Sequence, residues 1–400
     1  MITARVFLPF AFGYFLSYLL RVVNAVIAPD LVDELGLSAA DLGLLTSANF
    51  LAFAAFQLPL GILLDRYGPR RTESVLLLVA ATGAFLFSIA DGLTALVIGR
   101  AMIGLGTSAC LMAAFKAYVM WFERERIPLV NGFQMAAGGL GALTATIPIE
   151  MALQSTDWRG VFSVLALMTL FAAIFLFTVV PKSGAGETSS EPLAVQLRDF
   201  RGIFKNRAFW RIAPLCVSSQ CAFLSIQSLW SGPWLADVGG LSRDAVADHL
   251  FFVACAMVAG FLGLGIIAER LGRFGISTMT VAIFGMTVFA ATQIGMALQM
   301  VDFTLPLWLL FGFFGTTGIL PYAALTQRFA PELAGRVITG LNVMVFFSAF
   351  AAQWGIGLII GLWPKTINGG YDPAGYQTAF ALIVSIQIAG LIWYALNQRE

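Results

Sequence analysis

The sequence predicts an all-α membrane protein with about twelve transmembrane helices in two pseudo-symmetric six-helix bundles. Composition, the spacing of apolar stretches and an internal repeat support this fold class. Of the 400 residues, 59% are hydrophobic and only 11% are Asp, Glu, Lys or Arg. A soluble globular protein carries about 25% charged residues, so this chain lacks the polar surface that contact with water on all sides requires.

The apolar residues fall into stretches long enough to cross a bilayer, about 20 residues each. The predicted segments are 6–28, 41–63, 74–90, 95–121, 128–153, 159–180, 208–236, 247–268, 276–299, 304–327, 337–362 and 376–396. A polar stretch rich in Ser, Gly and Pro separates the sixth segment from the seventh. We therefore expect an N-terminal bundle at 1–180, a cytoplasmic linker at 181–207 and a C-terminal bundle at 208–400.

Lys and Arg are concentrated in alternate loops, and such loops face the cytoplasm in most membrane proteins. One set of loops contains Arg66, Arg70, Arg71, Arg124, Arg126, Arg198, Arg201, Lys205, Arg207, Arg270, Arg273, Arg328 and Arg336, and the opposite set contains Arg159, Arg243 and Lys365. This asymmetry predicts a multi-pass protein of the cell (inner) membrane with both termini in the cytoplasm.

The two halves are repeats of each other. A shift of 204 residues, for example from Pro29 to Pro233, also aligns Gly36-Leu37-Ser38 with Gly240-Leu241-Ser242, Asp65-Arg66 with Glu269-Arg270, and Gly68 with Gly272. Parallel repeats with a substrate site near the membrane midplane are a transporter architecture. An intramembrane enzyme would need paired catalytic groups, which we do not find, so we expect no enzymatic activity.

The loop after the second segment has the sequence Gly61-Ile-Leu-Leu-Asp65-Arg66-Tyr-Gly68-Pro-Arg70-Arg71. It resembles the signature loop of the major facilitator superfamily, and residues 265–273 form a degenerate copy of it. The resemblance implies two six-helix bundles around a cavity lined by segments 1, 4, 7 and 10, with alternating access by rocking of the halves. It also implies a gating role for Gly61, Asp65, Arg66, Gly68 and Arg70.

Ionisable residues inside predicted segments are costly to insert and are therefore functional candidates. Arg21 lies in segment 1, where Tyr14, Tyr18 and Asn24 share its helical face, and Arg100 lies in segment 4. A guanidinium group is a planar fork of donors that suits carboxylate or phosphate. We expect both arginines to bind the negative charge of a substrate.

Two further charged residues have open assignments. Lys116 lies near the inner end of segment 4, about 160° around the helix from Arg100, and either faces the cavity or is ion-paired. Glu150 is the one acidic residue that lies plainly within a predicted segment, close to the outer end of segment 5. It is the candidate proton carrier.

The remaining candidate substrate-binding residues are neutral. They are Gln134 in segment 5, Gln220, Gln227 and Trp230 in segment 7, and Asn342 in segment 11. Such residues act either as ligand contacts or as hydrogen bonds between helices. Together they suggest contacts for the uncharged part of a ligand.

The N-terminal half also resembles the anion:cation symporter branch, which includes sialin, the vesicular glutamate transporters and bacterial sugar-acid permeases. The matching residues include Arg21 to Asn24, Ala28-Pro29, Leu42-Gly43, Ser47, Gln57, Arg100, Gly104, Gly106, Trp121-Phe122 and Trp158-Arg159 to Phe162. The resemblance implies that both arginines bind the substrate's carboxylate. The branch's two proton-carrying carboxylates are replaced here by Leu20 and Thr107, which argues against the usual route of proton symport.

The sequence therefore predicts secondary active or facilitative transport of a small organic anion, such as a mono- or dicarboxylate. The alternatives are transport of amino acids or short peptides, whose amine would meet Glu150, and efflux of amphipathic compounds. The formal net charge of +1 gives no reason to expect nucleic acid as a partner. We expect a monomer in the lipid bilayer without cofactor or metal.

Overall fold

The computed structural model describes residues 2–182, 200–330, 333–366 and 369–397. These residues form helices and the turns between them, and no strand occurs among them. Most of the predicted linker, including Arg198, lies outside the described residues.

The helices of the first half are named in chain order. They are α1 (Ile2–Val22), α2 (Asn24–Leu35), α3 (Ala39–Ser88), α4 (Leu93–Thr107), α5 (Cys110–Trp121), α6 (Ile127–Thr144), α7 (Ile147–Leu153) and α8 (Trp158–Val179). The helices of the second half are α9 (Arg207–Ser225), α10 (Ser231–Asp237), α11 (Arg243–Gly272), α12 (Thr278–Ala297), α13 (Thr304–Gly315), α14 (Leu320–Thr326), α15 (Ala334–Ile360) and α16 (Pro373–Leu396).

Helix α3 contains two membrane crossings. A straight helix of its 50 residues would be about 75 Å long, more than twice the thickness of the bilayer core of about 30 Å. The backbone leaves the helical conformation at Gly68, where φ is 74° and ψ is 166°. With α3 counted twice, the 11 apolar helical stretches long enough to span a membrane among the described residues give the twelve crossings that the sequence predicts.

Several crossings are interrupted part-way. Segment 1 breaks at Val23, and segment 4 breaks at residues 108–109. Segment 7 contains the π-helical turn Ile226–Trp230, and segment 10 contains the 3₁₀ turn Thr316–Ile319. These are the four segments that the family resemblance assigns to the cavity, although segment 5 also breaks, between α6 and α7. Irregular turns inside helices are frequent at functional sites.

Packing divides the chain into two compact units. The N-terminal unit comprises Met1–Leu37 and Ala48–Glu191, and the C-terminal unit comprises Ser38–Ser47 and Pro192–Glu400. The start of α3 thus belongs to the second unit. The domain limits 1–180 and 208–400 stay predictions.

Glycines allow close helix contacts in the N-terminal unit. A Cβ atom at Gly104 would lie 2.1 Å from the backbone oxygen of Asn49, and one at Gly106 would lie 2.4 Å from the backbone nitrogen of Ala80. Helix α4 therefore packs against both crossings of α3. Likewise, a Cβ atom at Gly141 would lie 2.2 Å from the backbone oxygen of Phe15, so α6 packs closely on α1. Small residues at such contacts are a common way of packing helices in lipid.

The C-terminal unit is held together by large aromatic side chains and by paired polar groups. Trp234, Trp308 and Phe311 form a buried cluster, with ring centroids 5.1 to 5.6 Å apart in successive pairs. Gln293 and Gln387 exchange two hydrogen bonds of 3.1 and 2.9 Å between α12 and α16. The pairing satisfies amide groups that would otherwise be costly in a membrane interior.

Candidate functional site

The buried guanidinium group of Arg100 is the centre of the candidate site. The residue is fully buried on α4, and its Nη1 donates a hydrogen bond of 2.7 Å to the backbone oxygen of Leu20 on α1. Among the described residues, Nε and Nη2 have no hydrogen-bond partner. Arg100 therefore keeps donors for a further acceptor inside the N-terminal unit.

Arg21 directly follows the residue that accepts this hydrogen bond. Its guanidinium carbon lies 5.0 Å from the centroid of the Tyr18 ring and 5.6 Å from that of Phe53. The side chain is thus held partly by cation–π contacts. Helix α1 ends one residue later, at Val22. Two cations of different helices are therefore brought to the same break in segment 1.

Tyr14, Tyr18 and Asn24, which are predicted to share a face with Arg21, are buried, whereas Arg21 itself is half-buried. The rings of Tyr14 and Tyr18 meet edge to face, with centroids 6.0 Å apart. The Tyr14 hydroxyl lies 3.9 Å from the Met135 sulfur, and Asn24 is fully buried at the first position of α2. Tyr14 and Tyr18 thus lie together on α1 with the Tyr18 ring against Arg21, and a face shared with Asn24 stays a prediction.

Lys116 makes an ion pair. Its Nζ lies 2.5 Å from an Asp65 carboxylate oxygen and donates a second hydrogen bond of 2.8 Å to the backbone oxygen of Leu64. This geometry favours the ion-paired alternative over the cavity-facing one. Asp65, from the loop at 61–71, is thereby joined to α5.

Glu150 lies in the short helix α7 and is 6% exposed. Its side chain interacts with neighbouring groups of the protein. The structure thus leaves it as a buried carboxyl group near one end of segment 5. Its role as a proton carrier stays a prediction.

Glu73 is a buried carboxyl group that the sequence analysis missed. It is fully buried on the second crossing of α3. Its Oε1 lies against Gly13, where a Cβ atom would be 2.6 Å away. Its carboxyl group shares a hydrogen bond with the thiol of Cys110 and interacts electrostatically with the phenol of Tyr118, both on α5.

The omission of Glu73 has a simple cause. The third predicted segment begins at 74, so Glu73 was assigned to the loop, where a carboxylate is unremarkable. Helix α3 in fact resumes directly after Gly68, and Glu73 lies five residues, or about 8 Å, into the second crossing. Residues 70–74 are all polar, so the apolar pattern carries no signal that the helix begins before Glu73.

Gln134 is a structural link between helices. Its Oε1 accepts a hydrogen bond of 2.6 Å from the Tyr118 hydroxyl, and its Nε2 donates one of 3.1 Å to the backbone oxygen of Phe10. These bonds join α6 to α5 and α1. They favour the interhelical role over direct ligand contact.

Two glutamines of segment 7 each have a side-chain amide atom that can form a further hydrogen bond. The Nε2 atom of Gln220 and the Oε1 atom of Gln227 are buried without a hydrogen-bond partner among the described residues. Gln220 packs against Gly318, at the 3₁₀ turn of segment 10, and Gln227 lies in the π-helical turn. Both remain candidates for contact with the neutral part of a ligand.

Trp230 and Asn342 already have partners in the C-terminal unit. The indole of Trp230 donates a hydrogen bond of 3.0 Å to the backbone oxygen of Gln353, and its ring meets that of Tyr376 edge to face. Asn342 accepts a hydrogen bond of 2.9 Å from the Tyr322 hydroxyl. For both residues the geometry favours a role between helices.

The loop at 61–71 is tied to neighbouring helices. Arg70 donates two hydrogen bonds, of 2.8 and 2.5 Å, to the backbone oxygen of Phe177 and also lies over its ring. The end of α8 is thereby joined to the loop. Gly68 occupies the left-handed region at φ 74°, where a side chain would be strained. Arg66 lies over the Tyr67 ring, and Gly61 is exposed.

Comparison with known proteins identifies the family. The Major Facilitator Superfamily profile matches residues 10–353. The chain belongs to this superfamily. The resemblance inferred from the loop at 61–71 is therefore confirmed, and the chain is a multi-pass membrane protein.

Relatives within the superfamily include several proteins named for acids. The chain is 25% identical over 276 residues to a probable sulfoacetate transporter, SauU, of Cupriavidus necator, covering 64% of this chain and 63% of the relative. It is 25% identical over 255 residues to the hexuronate transporter of Bacillus subtilis, covering 62% and 60%. The chain thus spans less than two thirds of these relatives' length. The Escherichia coli hexuronate transporter matches over 97% of this chain and 92% of its own, at 22% identity.

Solved superfamily structures share the fold at low sequence identity. A bacterial homolog of the human lysosomal transporter Spinster matches with a TM-score of 0.78 at 16% identity, covering 99% of this chain and 96% of that chain. The nucleoside transporter NupG, as the D323A mutant, matches with a TM-score of 0.77 at 12% identity, covering 98% and 99%. These similarities confirm the major facilitator fold.

Proposed function

We propose that this protein transports a small organic anion, of the mono- or dicarboxylate kind, across the cell (inner) membrane by rocker-switch alternating access. In this proposal both termini are cytoplasmic, and Arg21 and Arg100 bind the acidic group of the substrate. The observation that carries the proposal is the fully buried guanidinium of Arg100, which keeps two donor atoms for an acceptor that the described residues do not supply.

The energetics of a buried cation support an anionic substrate. Removing a charge from water costs several kcal/mol even after relaxation of the surroundings, and an opposite charge with good hydrogen-bond geometry offsets that cost. A carboxylate can accept two parallel hydrogen bonds from one guanidinium group. Binding would therefore stabilise Arg100 and use the planar shape of both partners.

The names of the relatives agree with this chemistry. Sulfoacetate, L-galactonate and hexuronate are organic anions with a carboxylate, and nitrate and nitrite are small oxyanions. Each name belongs to the relative in question. Together they support an anion as cargo and leave its size and skeleton open.

In this proposal, any coupled proton is carried by a carboxyl group at a position other than those of the proton carriers in the anion:cation symporter branch. Glu150 and Glu73 are both buried in the N-terminal unit, whereas Leu20 and Thr107 occupy the positions of the branch's proton carriers. Glu73 is close to Cys110, three residues beyond Thr107 in the sequence. Buried carboxyl groups in membrane helices commonly carry protons in transporters.

The two alternative substrate classes would each need different residues in the binding site. A transporter of amino acids or short peptides needs an anionic partner for the substrate amine, and the buried Glu150 keeps that reading open. Efflux of amphipathic compounds is favoured by the abundance of Phe, Met and Trp. A buried guanidinium with unused donors disfavours it, because an uncharged apolar cargo would leave them unpaired.

The decisive experiment replaces Arg100 with glutamine. The variant keeps hydrogen-bond donors but loses the charge, so uptake of labelled carboxylates into proteoliposomes should fall at least about a hundredfold, since a charged hydrogen-bonded pair contributes several kcal/mol. Sulfoacetate, galactonate and a hexuronate serve as test substrates.

Arg126→Gln is the matched control, because this arginine is exposed and pairs with Glu123 on the surface. It should transport like the unchanged protein. Full carboxylate uptake by a well-folded Arg100→Gln protein would refute the proposal. Uptake of amino acids in place of carboxylates by the unchanged protein would favour the first alternative.

A further inference from the structure

Two adjoining cavities on the C-terminal unit are not explained by transport. The first is an apolar groove of about 730 Å³ between α9, α15 and α16. The second is a pocket of about 680 Å³ formed by the N-terminal end of α9, the segment just before it, the C-terminal end of α16, and Arg328. Trp210 and Trp393 line both cavities, which therefore adjoin each other.

The pocket is basic. Of the described residues that line it, four are basic and none is acidic, namely Lys205, Arg207, Arg211 and Arg328. These residues lie on the side of the membrane that the distribution of Lys and Arg predicts to be cytoplasmic. Basic pockets between transmembrane helices on that side bind anionic lipid headgroups.

The groove has the length and surface of a binding site for a lipid chain. Along α16 its lining runs from Ala379 to Trp393, which is about 21 Å of helix, whereas one leaflet of hydrocarbon is about 15 Å thick. Small side chains on α15 form its floor, including Ala351, Ala352 and Gly355. They leave room that bulky residues would fill.

The two tryptophans mark the boundary between the apolar and the basic cavity. The Trp393 indole donates a hydrogen bond of 2.7 Å to the backbone oxygen of Trp210, and the Trp210 indole donates one of 2.7 Å to the backbone oxygen of Phe204. Both rings are thereby fixed in place. Tryptophan is enriched at the headgroup level of membranes, so the junction lies where a lipid's chains meet its headgroup.

From this arrangement we propose that the C-terminal unit binds one anionic phospholipid of the cytoplasmic leaflet. Its phosphate lies among Lys205, Arg207, Arg211 and Arg328, and an acyl chain lies in the groove between α9, α15 and α16. Charge complementarity selects a lipid with a net negative headgroup over a zwitterionic one. This site is separate from the arginines proposed to bind substrate and stands independently of which solute is carried.

The test compares phosphatidylglycerol with phosphatidylcholine of identical acyl chains, added to delipidated protein in detergent. We expect phosphatidylglycerol to raise the melting temperature more, and native mass spectrometry to retain one molecule per chain. In the double variant Arg207→Gln/Arg211→Gln the affinity should fall about thirtyfold, from about 1 kcal/mol for each basic residue. Ala352→Trp fills the groove and should weaken retention of the lipid.

Matched controls separate these effects from general damage. Arg273→Gln removes an exposed basic residue outside the pocket, and Leu358→Trp places the same ring on an exposed face of α15 outside the groove. Both should keep the preference for phosphatidylglycerol. If the double variant is not monodisperse, Lys205→Gln and Arg211→Gln are measured singly.

Four results would overturn the proposal. They are equal stabilisation by the two lipids, a preference that survives loss of both arginines, an equal shift with inorganic phosphate alone, and a change from dimer to monomer in Ala352→Trp. The third would indicate a free anion as the ligand, and the fourth a second copy of the chain.

Discussion

Arg100, Lys116 and Glu73 are three ionisable residues of the N-terminal unit with different surroundings. Arg100 is fully buried and uses one of its nitrogens for the backbone of Leu20. Lys116 is partly exposed and paired with Asp65. Glu73 is fully buried beside Gly13 and the Cys110 thiol. The surroundings suit Arg100 for an anion, Lys116 for holding the loop at 61–71, and Glu73 for a proton.

Glutamine substitutions separate the two candidate proton carriers. Glu73→Gln keeps the size of the side chain and removes its ionisable group. If Glu73 carries the coupled proton, an acidic outside medium will no longer stimulate substrate uptake by the Glu73→Gln variant. Exchange of labelled for unlabelled substrate by this variant will continue, because exchange needs no net proton movement. The measurement is uptake into proteoliposomes with and without a pH gradient.

Glu150→Gln is tested in parallel, and Glu123→Gln is the control because Glu123 pairs with Arg126 on the surface. The control should keep its dependence on the gradient. A Glu73→Gln protein that still responds fully to the gradient would eliminate Glu73. The same result for Glu150→Gln would eliminate Glu150.

Helices α3 and α4 show how packing at the level of elements prepares the site. Gly104 and Gly106 bring α4 against both crossings of α3, and this contact holds the helix that carries Arg100. The break at Gly68 lets the chain turn back between those two crossings. The glycines of segment 4 therefore act on the site by positioning the helix that carries Arg100.

Alanine substitutions test this packing with opposite expected signs. At Gly104 a new Cβ atom would lie 2.1 Å from the Asn49 backbone, so Gly104→Ala should lower the melting temperature and the yield of folded protein. At Gly132, in α6, no atom lies within 4 Å of a new Cβ atom. Gly132→Ala should be neutral or stabilise by about 0.5–1 kcal/mol, because alanine favours a helix over glycine.

The melting temperatures of Gly104→Ala, Gly132→Ala and the unchanged protein, measured in the same detergent, test these expectations. Equal melting temperatures for Gly104→Ala and the unchanged protein would show that the close contact is not required. A large loss in Gly132→Ala would show that α6 has neighbours other than those described.

The whole molecule is a major facilitator fold with two compact units, and its orientation is the property most open to direct measurement. The basic loops predict that Glu125 faces the cytoplasm and that Ser155 faces the opposite side. Both residues are exposed. Each can therefore report the side on which its loop lies.

Cysteine labelling in intact cells checks this orientation. Ser155→Cys should react with a membrane-impermeant maleimide, whereas Glu125→Cys should react only after the membrane is opened. The native cysteines add little background, since Cys110, Cys216 and Cys221 are buried and Cys255 is half-buried. The reverse labelling pattern would contradict the proposed topology.

Sequence alone was sufficient for the fold class, the twelve crossings and the candidate arginines. These properties depend on local patterns, because the bilayer requires about 20 apolar residues per crossing and makes each intramembrane charge conspicuous. The sequence also shows Gly68 in the signature loop and the internal repeat with its offset of 204 residues. The signature loop was enough to suggest the superfamily.

Only the tertiary structure decided which polar residues are already satisfied. Lys116 with Asp65, Gln134 with Tyr118, and Asn342 with Tyr322 are pairs distant in sequence, and no local pattern distinguishes a partner on another helix from a ligand. The burial of Glu73 and the basic pocket beside the apolar groove arise in the same way. Each depends on which helices pack together, and that is settled by the close fit of side chains over the whole of each unit.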